Sequence, residues 1–468
     1  MRSRFTLIAM LGSPTHLASK GTPAETSTDK LLEIVRKEIE TVSIFDVHTH
    51  LFMPALGSLA LTGIDDILTY HYLEAEFFRV SGRTPESYWA LSKPERADVV
   101  WHHLFIERAP LSEAARSVIT ILRAFDLPTD SSGLRDARAF FAARDPIRHV
   151  QDVLDKAGVS EVVMTNDPID PQEASLWLQE PERDQRFHSA LRLDRVLSSW
   201  PEQYQTLCSQ GYDVREHADG PTISELRRFF HDWRKRMHPV YMAVSLPDSF
   251  VFPEDSIRAR LLSEAILPAC EEFKIPLALM IGVRRQVNPA LQMAGDGVGR
   301  ANLECLEHLC NDFPRNRFLV TVLSRENQHE LCVYARKFSN LMPFGCWWFV
   351  NQPSIVEEIT RERLELLGTS FIPQHSDARV LEHLISKWRE TRRVLAPILA
   401  QSYTRVVEEG RPISRSEIHR DVTRLFRSNF EDFCELKNPG RPAAGLHEPK
   451  APKPHHSEPV QFTRSISG

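Results

Sequence analysis

A (β/α)8 barrel of the TIM type, with a helical insertion after its first strand, is the α/β fold that this sequence predicts. The first observation is a set of eight short apolar or β-branched runs, separated by amphipathic stretches with helical spacing. Apolar runs that alternate with helices are typical of parallel strands buried on both faces, and eight of them match a closed barrel. The runs span residues 42–47, 161–165, 187–193, 240–246, 275–281, 317–323, 341–348 and 369–373.

The second observation is the long segment between the first two runs. Residues 48–160 separate these runs, whereas a plain strand–helix–strand unit needs roughly 30 residues. Apolar residues recur three and four positions apart at 64–78, 93–107 and 111–125. Because this spacing predicts amphipathic helices, we expect residues 65–149 to form a helical insertion that covers the mouth of the barrel.

The two ends of the chain differ in composition from the rest. The N-terminal segment is rich in Ser, Thr, Pro, Gly and Lys, and we expect residues 1–34 to be a flexible lead. Six prolines interrupt a stretch with little apolar material at the other end, so residues 437–468 are predicted to be a disordered, Pro-rich tail. The barrel is predicted to span residues 35–436.

Composition and charge exclude several classes of protein. The 468 residues are 42% hydrophobic and 26% charged, which is ordinary for a globular chain with a large core. The formal net charge of −6 offers no general attraction to a phosphate backbone or an anionic membrane, so neither nucleic acid nor membrane is an expected partner. Seven scattered cysteines without a Cys-x-x-Cys pair fit a reducing compartment. The short apolar stretch near Met1 resembles a signal peptide only faintly, because no signal-peptidase cleavage site follows it closely. A cytoplasmic location is therefore predicted.

Two histidines close the first run, in the segment Asp46-Val47-His48-Thr49-His50. At the end of a strand, residues two apart point the same way, so His48 and His50 can converge on one cation at the C-terminal face of the barrel. Imidazole nitrogens are common ligands of zinc. A His-x-His pair also occurs by chance on surface loops, and the pair alone leaves that alternative open.

The eighth run is followed directly by Ser376-Asp377-Ala378-Arg379. An aspartate at the end of the last strand can face the first strand across the barrel mouth, where it would serve as a third metal ligand or as a general base. The alternative is that Ser376 or Asp377 caps the following helix by accepting hydrogen bonds from exposed backbone N–H groups.

Together with further short motifs, these residues resemble the uronate isomerase (glucuronate isomerase) family of the amidohydrolase superfamily, in a divergent form. The resemblance covers about residues 35–400, and the motifs occur in the order of the family. They are Asp46-x-His48-x-His50-Leu51, His71-Tyr72, Trp101-x-His103-Leu104, Thr165-Asn166-Asp167-Pro168, Arg192-x-Asp194, Gly345-x-Trp347-Trp348-Phe349 and Ser376-Asp377-x-Arg379.

The resemblance implies an isomerase that interconverts aldose and ketose sugar acids, D-glucuronate with D-fructuronate or D-galacturonate with D-tagaturonate. It also implies a divalent metal such as Zn2+, a small sugar acid as substrate, and a homo-oligomer as one option. By position in the motifs, the implied metal ligands are His48, His50 and Asp377, the implied catalytic residues are Asp377, Tyr72 and His71, and the implied substrate-binding residues are Arg192, Arg379 and Trp348.

The chemistry of such an isomerisation requires residues of these kinds. Moving a proton between C2 and C1 through an enediol needs a base and an acid beside those carbons, and a donor or cation for the enolate oxygen. Asp377 and Tyr72 can carry the proton, although a phenol with a pKa of about 10 needs a neighbouring cation to act as a base at neutral pH. A guanidinium matches the sugar carboxylate with two parallel hydrogen bonds. For Arg192, an ion pair with Asp194 is an equally good interpretation.

Three other candidates have simpler structural interpretations. Alternate strand residues face opposite sides, so Trp347 and Trp348 are expected to pack, one inward and one against a helix, with a wall for the sugar ring as the alternative role of Trp348. His103 falls in an amphipathic helix and is expected to be packed or at the surface. Asp167 precedes a proline, where an Asx turn is the simplest account.

The chain departs from the family pattern at three places. The family carries a histidine near the Ile-Gly pair after the fifth strand, where this chain has Met280, and a thioether is a poor ligand for zinc-like ions and no base at neutral pH. Residues 324–328 replace an Asn-Pro pattern, and Val350-Asn351 replaces Asn-Asp. Three arginines near strand ends offer positive charge for a second anionic group, although solvated loop charges are the simpler interpretation for each. They are Arg284, Arg285 and Arg325.

Two other functions remain open on the sequence alone. A metal-dependent hydrolase, such as a lactonase or amidohydrolase, would use His48, His50 and Asp377 to activate water. Further metal ligands would then be expected at the ends of the middle strands, but neither the fifth nor the sixth run ends in histidine. A noncatalytic sugar-acid binding protein would keep the arginines without needing the metal ligands.

Overall fold

Seven parallel strands form a sheet in the order in which they occur along the chain. The computed structural model describes residues 27–130 and 133–436. The strands are β1 (Ile44–Thr49), β2 (Val159–Asn166), β3 (Phe187–Arg192), β4 (Pro239–Pro247), β5 (Leu277–Arg284), β6 (Gly297–Val298), β7 (Phe318–Val322) and β8 (Leu341–Pro343). The short β6 pairs antiparallel with β5, and the other seven pair in the order β1-β2-β3-β4-β5-β7-β8. Their side chains are almost all buried, as in a parallel sheet with helices outside and a filled interior.

The eighth predicted strand is an irregular segment, residues 371–378, that bonds to the last strand on one side. Ile372 N donates to Pro343 O at 3.0 Å, and Gly345 N donates to Ile372 O at 2.9 Å. Regular pairing stops there, since Pro343 and Pro373 have no N–H to donate. The sequence predicted that the seventh strand would extend to residue 348. The structure ends this strand, β8, at Pro343.

The same segment bonds to the first strand on its other side. Asp377 N donates to His48 O at 3.1 Å, and His50 N donates to Ala378 O at 2.8 Å. Residues 371–378 thus join β8 to β1 and close the ring. The predicted (β/α)8 barrel is confirmed, with its final strand reduced to this closing segment.

Helices surround the sheet and fill the long connection between β1 and β2. One helix precedes the barrel, α1 (Ser27–Thr41). Between β1 and β2 the described residues contain α2 (Ile64–Leu68), α3 (His71–Ser81), α4 (Pro85–Trp89), α5 (Lys93–Trp101), α6 (Glu113–Ala124), α7 (Gly133–Ala142) and α8 (Pro146–Ala157). The remaining helices are α9 (Pro171–Trp177), α10 (Asp194–Ser198), α11 (Trp200–Ser209), α12 (Gly220–Met237), α13 (Ile257–Leu261), α14 (Leu267–Phe273), α15 (Glu304–Asp312), α16 (Gln328–Lys337), α17 (Pro353–Leu367), α18 (His383–Glu408), α19 (Arg415–Thr423) and α20 (Asn429–Phe433).

The predicted N-terminal lead is too long in one respect. Residues 27–34 are the first turns of α1 and not flexible chain, since Leu31 and Val35 on one face of this helix are buried. The rest of the predicted lead, residues 1–26, and the predicted tail, residues 437–468, lie outside the described residues. None of the helices in the described part of the chain has the length and apolar character that crossing a membrane requires.

One buried carboxylate fastens the insertion to the barrel. Glu382, fully buried just before α18, accepts hydrogen bonds from Thr62 Oγ1 (2.6 Å), Gly63 N (2.9 Å) and His149 Nε2 (2.7 Å). Its partners belong to the start of the insertion and to α8. Because a buried carboxylate needs such donors, this group ties three separate elements to one position.

Glycine is required at position 345 for two reasons, the backbone conformation there and the close approach of the closing segment. It has a φ of +68°, and a Cβ at this position would lie 2.0 Å from His375 Cδ2. Gly82, at the end of α3, has nearly the same φ, +65°, but a Cβ there would meet nothing within 4 Å.

We therefore expect Gly345→Ala and Gly82→Ala to differ in the free energy of unfolding measured by urea denaturation. Gly82→Ala should cost about 1 kcal/mol, from backbone strain alone. Gly345→Ala should cost at least about 3 kcal/mol, because the clash with His375 is added to the same strain. Equal costs would show that His375 yields freely and that the segment is not tightly packed.

Candidate active site

Three potential metal ligands meet where β1 and the closing segment adjoin. His48 Nε2 lies 3.7 Å and His50 Nε2 lies 3.3 Å from Asp377 Oδ1. One ligand atom from each residue lies within 4.8 Å of the others. The arrangement follows from the two-residue spacing of the histidines and from the bonds that hold the closing segment against β1.

Asp377 is held in an unusual backbone conformation. Its φ is +51°, a left-handed value that few residues other than glycine adopt, and strain of this kind concentrates at functional sites. It does not cap a helix, because α18 begins only at His383 and Asp377 accepts no backbone hydrogen bond among the described residues. The capping alternative is therefore wrong for Asp377, although Ser376 Oγ accepts a bond from Ala378 N.

A carboxylate beneath the site orients this segment. Asp46, fully buried in β1, accepts hydrogen bonds from Ser376 N at 3.0 Å and from Trp388 Nε1 at 2.8 Å. Burial raises the pKa of Asp46 to about 6, and these hydrogen bonds oppose the rise. The group thereby fixes the residue next to Asp377 to the strand that carries the histidines.

A tyrosine fixes the tautomer of His48. Tyr241 donates its hydroxyl proton to Val47 O at 2.8 Å and lies 3.0 Å from His48 Nδ1. Since the hydroxyl has only one proton, it must accept a bond from Nδ1–H, which leaves the lone pair of Nε2 directed at Asp377. Burial lowers the pKa of His48 to about 3 and that of His50 well below its usual value, so both imidazoles are neutral at pH 7.

These contacts fit a cation. Asp377 Oδ1 is buried and has no hydrogen-bond donor among the described residues, yet it lies beside Nε2 of two neutral histidines. A buried carboxylate oxygen without a donor is costly, and a cation between it and the imidazole lone pairs would satisfy all three atoms. Two nitrogens and one oxygen are a common ligand set for zinc with an open position.

The three residues lie on the wall of a cavity of about 490 Å³ at the C-terminal ends of the strands. Its polar wall residues are His48, His50, His71, Thr165, Arg192, Asp194, Ser245, Arg285, Asp377 and Arg379. Its apolar wall residues are Ala243, Val244, Met280, Met293, Trp347 and Trp348. The location is the one at which barrel enzymes place their active sites.

The cavity is lined by three guanidinium groups that differ in their partners. Arg192 Nε donates a hydrogen bond to Asp194 Oδ2 at 2.8 Å, so the ion pair that the sequence suggested as an alternative is present. The charge of Asp194 raises the pKa of Arg192. Arg285 Nη1 lies 2.6 Å from Asp296 Oδ2. Arg379 makes no hydrogen bond or ion pair within residues 27–130 and 133–436, so its donors are available to a ligand.

His71 lines the cavity and Tyr72 does not. His71 Nε2 is buried without a partner among the described residues, and burial lowers the pKa of His71 well below its usual value. Tyr72 packs its ring 4.5 Å from that of His71. Burial raises the pKa of Tyr72 well above the usual value, with further contributions from Tyr70 and Asp377, so this phenol is a hydrogen-bond donor and not a base at neutral pH.

The structure corrects one packing prediction and confirms two. Trp347 and Trp348 both line the cavity, because residues 345–350 are not a strand and Trp348 has a φ of +43°. The expected alternation of one inward and one outward ring is therefore wrong. His103 is partly exposed and bonds to Glu107, and Asp167 Oδ1 accepts from Ile169 N at 3.0 Å in an Asx turn, both as predicted.

Of the family departures, Met280 is the one within the site. It is 2% exposed and lines the cavity from β5. Arg284 and Arg325 are exposed charges paired with surface acids, as the simpler interpretation has it, whereas Arg285 reaches the cavity. Sequence reasoning missed Tyr241, whose only signal was its place in the fourth apolar run.

Solved structures resemble this chain over most of its length. A uronate isomerase from Bacillus halodurans is 48% identical, covers 88% of this chain and 98% of its own, and superposes with a TM-score of 0.86. A uronate isomerase from Thermotoga maritima is 17% identical, with coverage of 87% and 97% and a TM-score of 0.71. A glucuronate isomerase from Caulobacter crescentus is 16% identical, with coverage of 92% and 99% and a TM-score of 0.71. No family model matches the sequence, and a search of curated proteins gives no match either.

The contact between Tyr241 and His48 leads to a test of metal binding. Tyr241→Phe removes the acceptor of the His48 Nδ1 proton, so the imidazole is free to rotate or to change tautomer. We expect the affinity for Zn2+, measured by competition with a chelator, to fall about 10- to 100-fold. Tyr212→Phe, which removes a hydroxyl bonded to Asp232, is the matched control and should leave the affinity unchanged. Equal affinities for both variants would contradict the proposed role of Tyr241.

Proposed function

The chain belongs to the uronate isomerase family, and from that premise we propose the reaction and the role of each site residue. The chain is an isomerase of sugar acids. We assign to it the interconversion of D-glucuronate with D-fructuronate, or of D-galacturonate with D-tagaturonate. In the direction from aldose to ketose, a proton leaves C2 and one arrives at C1, while the hydroxyl proton of O2 passes to O1.

The observation that carries the proposal is the orphaned oxygen of Asp377. Oδ1 is buried, lacks a donor among the described residues and faces the cavity wall formed by His48 and His50. Oδ1 can thus hold a cation, and the other oxygen of the same carboxylate, Oδ2, is proposed as the base that removes the C2 proton and returns it to C1. The strained φ of Asp377 supports this role.

A divalent metal, Zn2+ by the choice of ligands, is proposed to bind His48, His50 and Asp377. When bound, it would supply Lewis acidity that stabilises negative charge on a nearby sugar oxygen. Asp377 can contribute Oδ1 to the metal and retain Oδ2 for the proton. His48 is kept in position for this by Tyr241.

Neutral donors handle the oxygen protons. His71 presents an imidazole with an unpartnered Nε2 at the cavity, so it can accept the proton of O2 and donate one to O1. Tyr72 is proposed to donate a hydrogen bond toward the same oxygens. Its ring lies beside His71, which lines the cavity.

The remaining wall binds the sugar acid. Arg379 has donors without a protein partner, and Arg192 keeps donors beyond those that bond to Asp194, so both are proposed to bind carboxylate or hydroxyl oxygens of the substrate. Trp348 is proposed as a flat wall for the sugar ring. A hydrolase is not favoured, since the similar chain with 48% identity is a uronate isomerase. Assembly as a homo-oligomer, a cytoplasmic location and the lack of nucleic-acid or membrane partners stay predictions from the sequence.

The reaction is tested by incubating the protein with each sugar acid in D2O, with and without added Zn2+. We expect ketose to form and deuterium to enter C1 or C2, detected by NMR. Asp377→Asn keeps the size of the side chain but removes the base, and should lower kcat on the order of 10²- to 10⁴-fold. If neither sugar acid gives ketose or takes up deuterium, with or without added Zn2+, the proposed reaction is wrong.

The two arginines allow a separate test of substrate binding. Arg379→Met removes no hydrogen bond or ion pair within the described residues, so the free energy of unfolding should change by less than about 0.5 kcal/mol while KM rises roughly 10- to 100-fold. Arg192→Met leaves the Asp194 carboxylate unpaired and should cost about 2 kcal/mol or more in stability, besides raising KM. Urea denaturation and steady-state kinetics measure both effects. A large stability loss in Arg379→Met with an unchanged KM would contradict its role.

A further inference from the structure

A nearly buried ion pair lies next to Tyr72 and has no part in the proposed reaction. Lys387 of α18 places Nζ 3.0 Å from Glu113 Oε1 of α6, and the two side chains are only 10% and 19% exposed. The same ammonium lies 5.7 Å from the centroid of the Tyr72 ring. That distance is within the range in which a cation is attracted to the face of an aromatic ring.

The ion pair belongs to a second cavity of about 240 Å³, distinct from the active-site cavity. Lys387 and Glu113 line it together with polar side chains that include Gln374 and Asn351. The ring of Tyr72 therefore lies beside one residue of each cavity, His71 on the active-site cavity and Lys387 on the second one.

The position of the Tyr72 ring decides where its hydroxyl lies. The ring contacts Tyr70 edge-to-face at 5.0 Å and His71 at 4.5 Å, and it packs against a buried apolar cluster that includes Trp348. Lys387 adds a cation near the ring. A displacement of the ring would move the hydroxyl away from the sugar oxygens to which we propose that it donates a hydrogen bond. Displacements of about 1 Å at a reacting group can cost 100-fold in rate.

We propose that Lys387 is a positioning residue for Tyr72: its ammonium, anchored by Glu113, holds the phenol ring beside His71 and so keeps the hydroxyl in place. This inference rests on the proposed function, in which Tyr72 donates a hydrogen bond to the sugar oxygens. It also gives the insertion a part in the reaction, since α6 supplies the anchor of a lysine that α18 supplies from the barrel.

The first measurement compares Lys387→Met with Lys387→Arg. Lys387→Met should lower kcat about 10-fold while KM changes less than about 2-fold, since no substrate contact is removed. Lys387→Arg should recover most of kcat, because a guanidinium also covers an aromatic face and can bond to Glu113. Lys93→Met, which removes a lysine paired with Asp66 within the insertion, is the control and should leave both constants unchanged.

The deciding measurement repeats Lys387→Met in a Tyr72→Phe background. If Lys387 acts by placing the hydroxyl, its loss should change kcat by less than about 2-fold once that hydroxyl is gone. A merely structural role would lower kcat by the same factor in both backgrounds, and that result, or no loss in the wild type, overturns the proposal. If Lys387→Met does not fold, Glu113→Gln, which releases the anchor and keeps the ammonium, takes its place in the same comparison.

The outcome is separate from that of the proposed function. If the unaltered protein isomerises neither sugar acid, the proposed function itself has failed before any variant is compared. If the unaltered protein is active and the two backgrounds respond equally, only the role of Lys387 is wrong.

Discussion

The site depends on the buried carboxylate of Asp46. It accepts one hydrogen bond from Ser376 N and one from Trp388 Nε1, so a single side chain in β1 joins the closing segment and α18. Two of the residues that could hold a metal stand close to these contacts in the chain, since His48 follows Asp46 by two residues and Asp377 follows Ser376. Lys387, the proposed positioning residue, precedes Trp388. A carboxylate with such donors keeps its geometry because losing either bond would leave a buried charge unsatisfied.

The sequence contained enough information for the barrel and for the three residues that could hold a metal, because both depend on local patterns. Apolar runs identify strands, and a His-x-His pair at a strand end needs only the alternation of side chains to be placed on one face. The position of Asp377 followed from barrel topology, which brings the ends of the first and last strands together. These inferences needed no knowledge of how distant side chains pack.

The errors arose where backbone geometry departs from regular structure. Trp347 and Trp348 were assigned to opposite faces by strand alternation, but the strand ends at Pro343, and the positive φ values of Gly345 and Trp348 turn both rings into the cavity. Nothing local in the sequence marks this turn except one glycine. The tautomer of His48 likewise depends on Tyr241, 193 residues away in the chain, and only the folded structure shows that their side chains meet.

Met280 occupies the side of the cavity that lies opposite the pair of histidines. It lies on β5, opposite β1 in the ring of strands, and its thioether can neither hold a zinc-like metal well nor exchange a proton at neutral pH. Asp377, the proposed base, lies on the other side of the ring, beside the pair of histidines. A hydrolase must activate water and also protonate a leaving group, whereas an isomerase of this kind returns the proton to the neighbouring carbon. The site suits the proposed isomerisation, since one base, the carboxylate of Asp377, can serve both carbons.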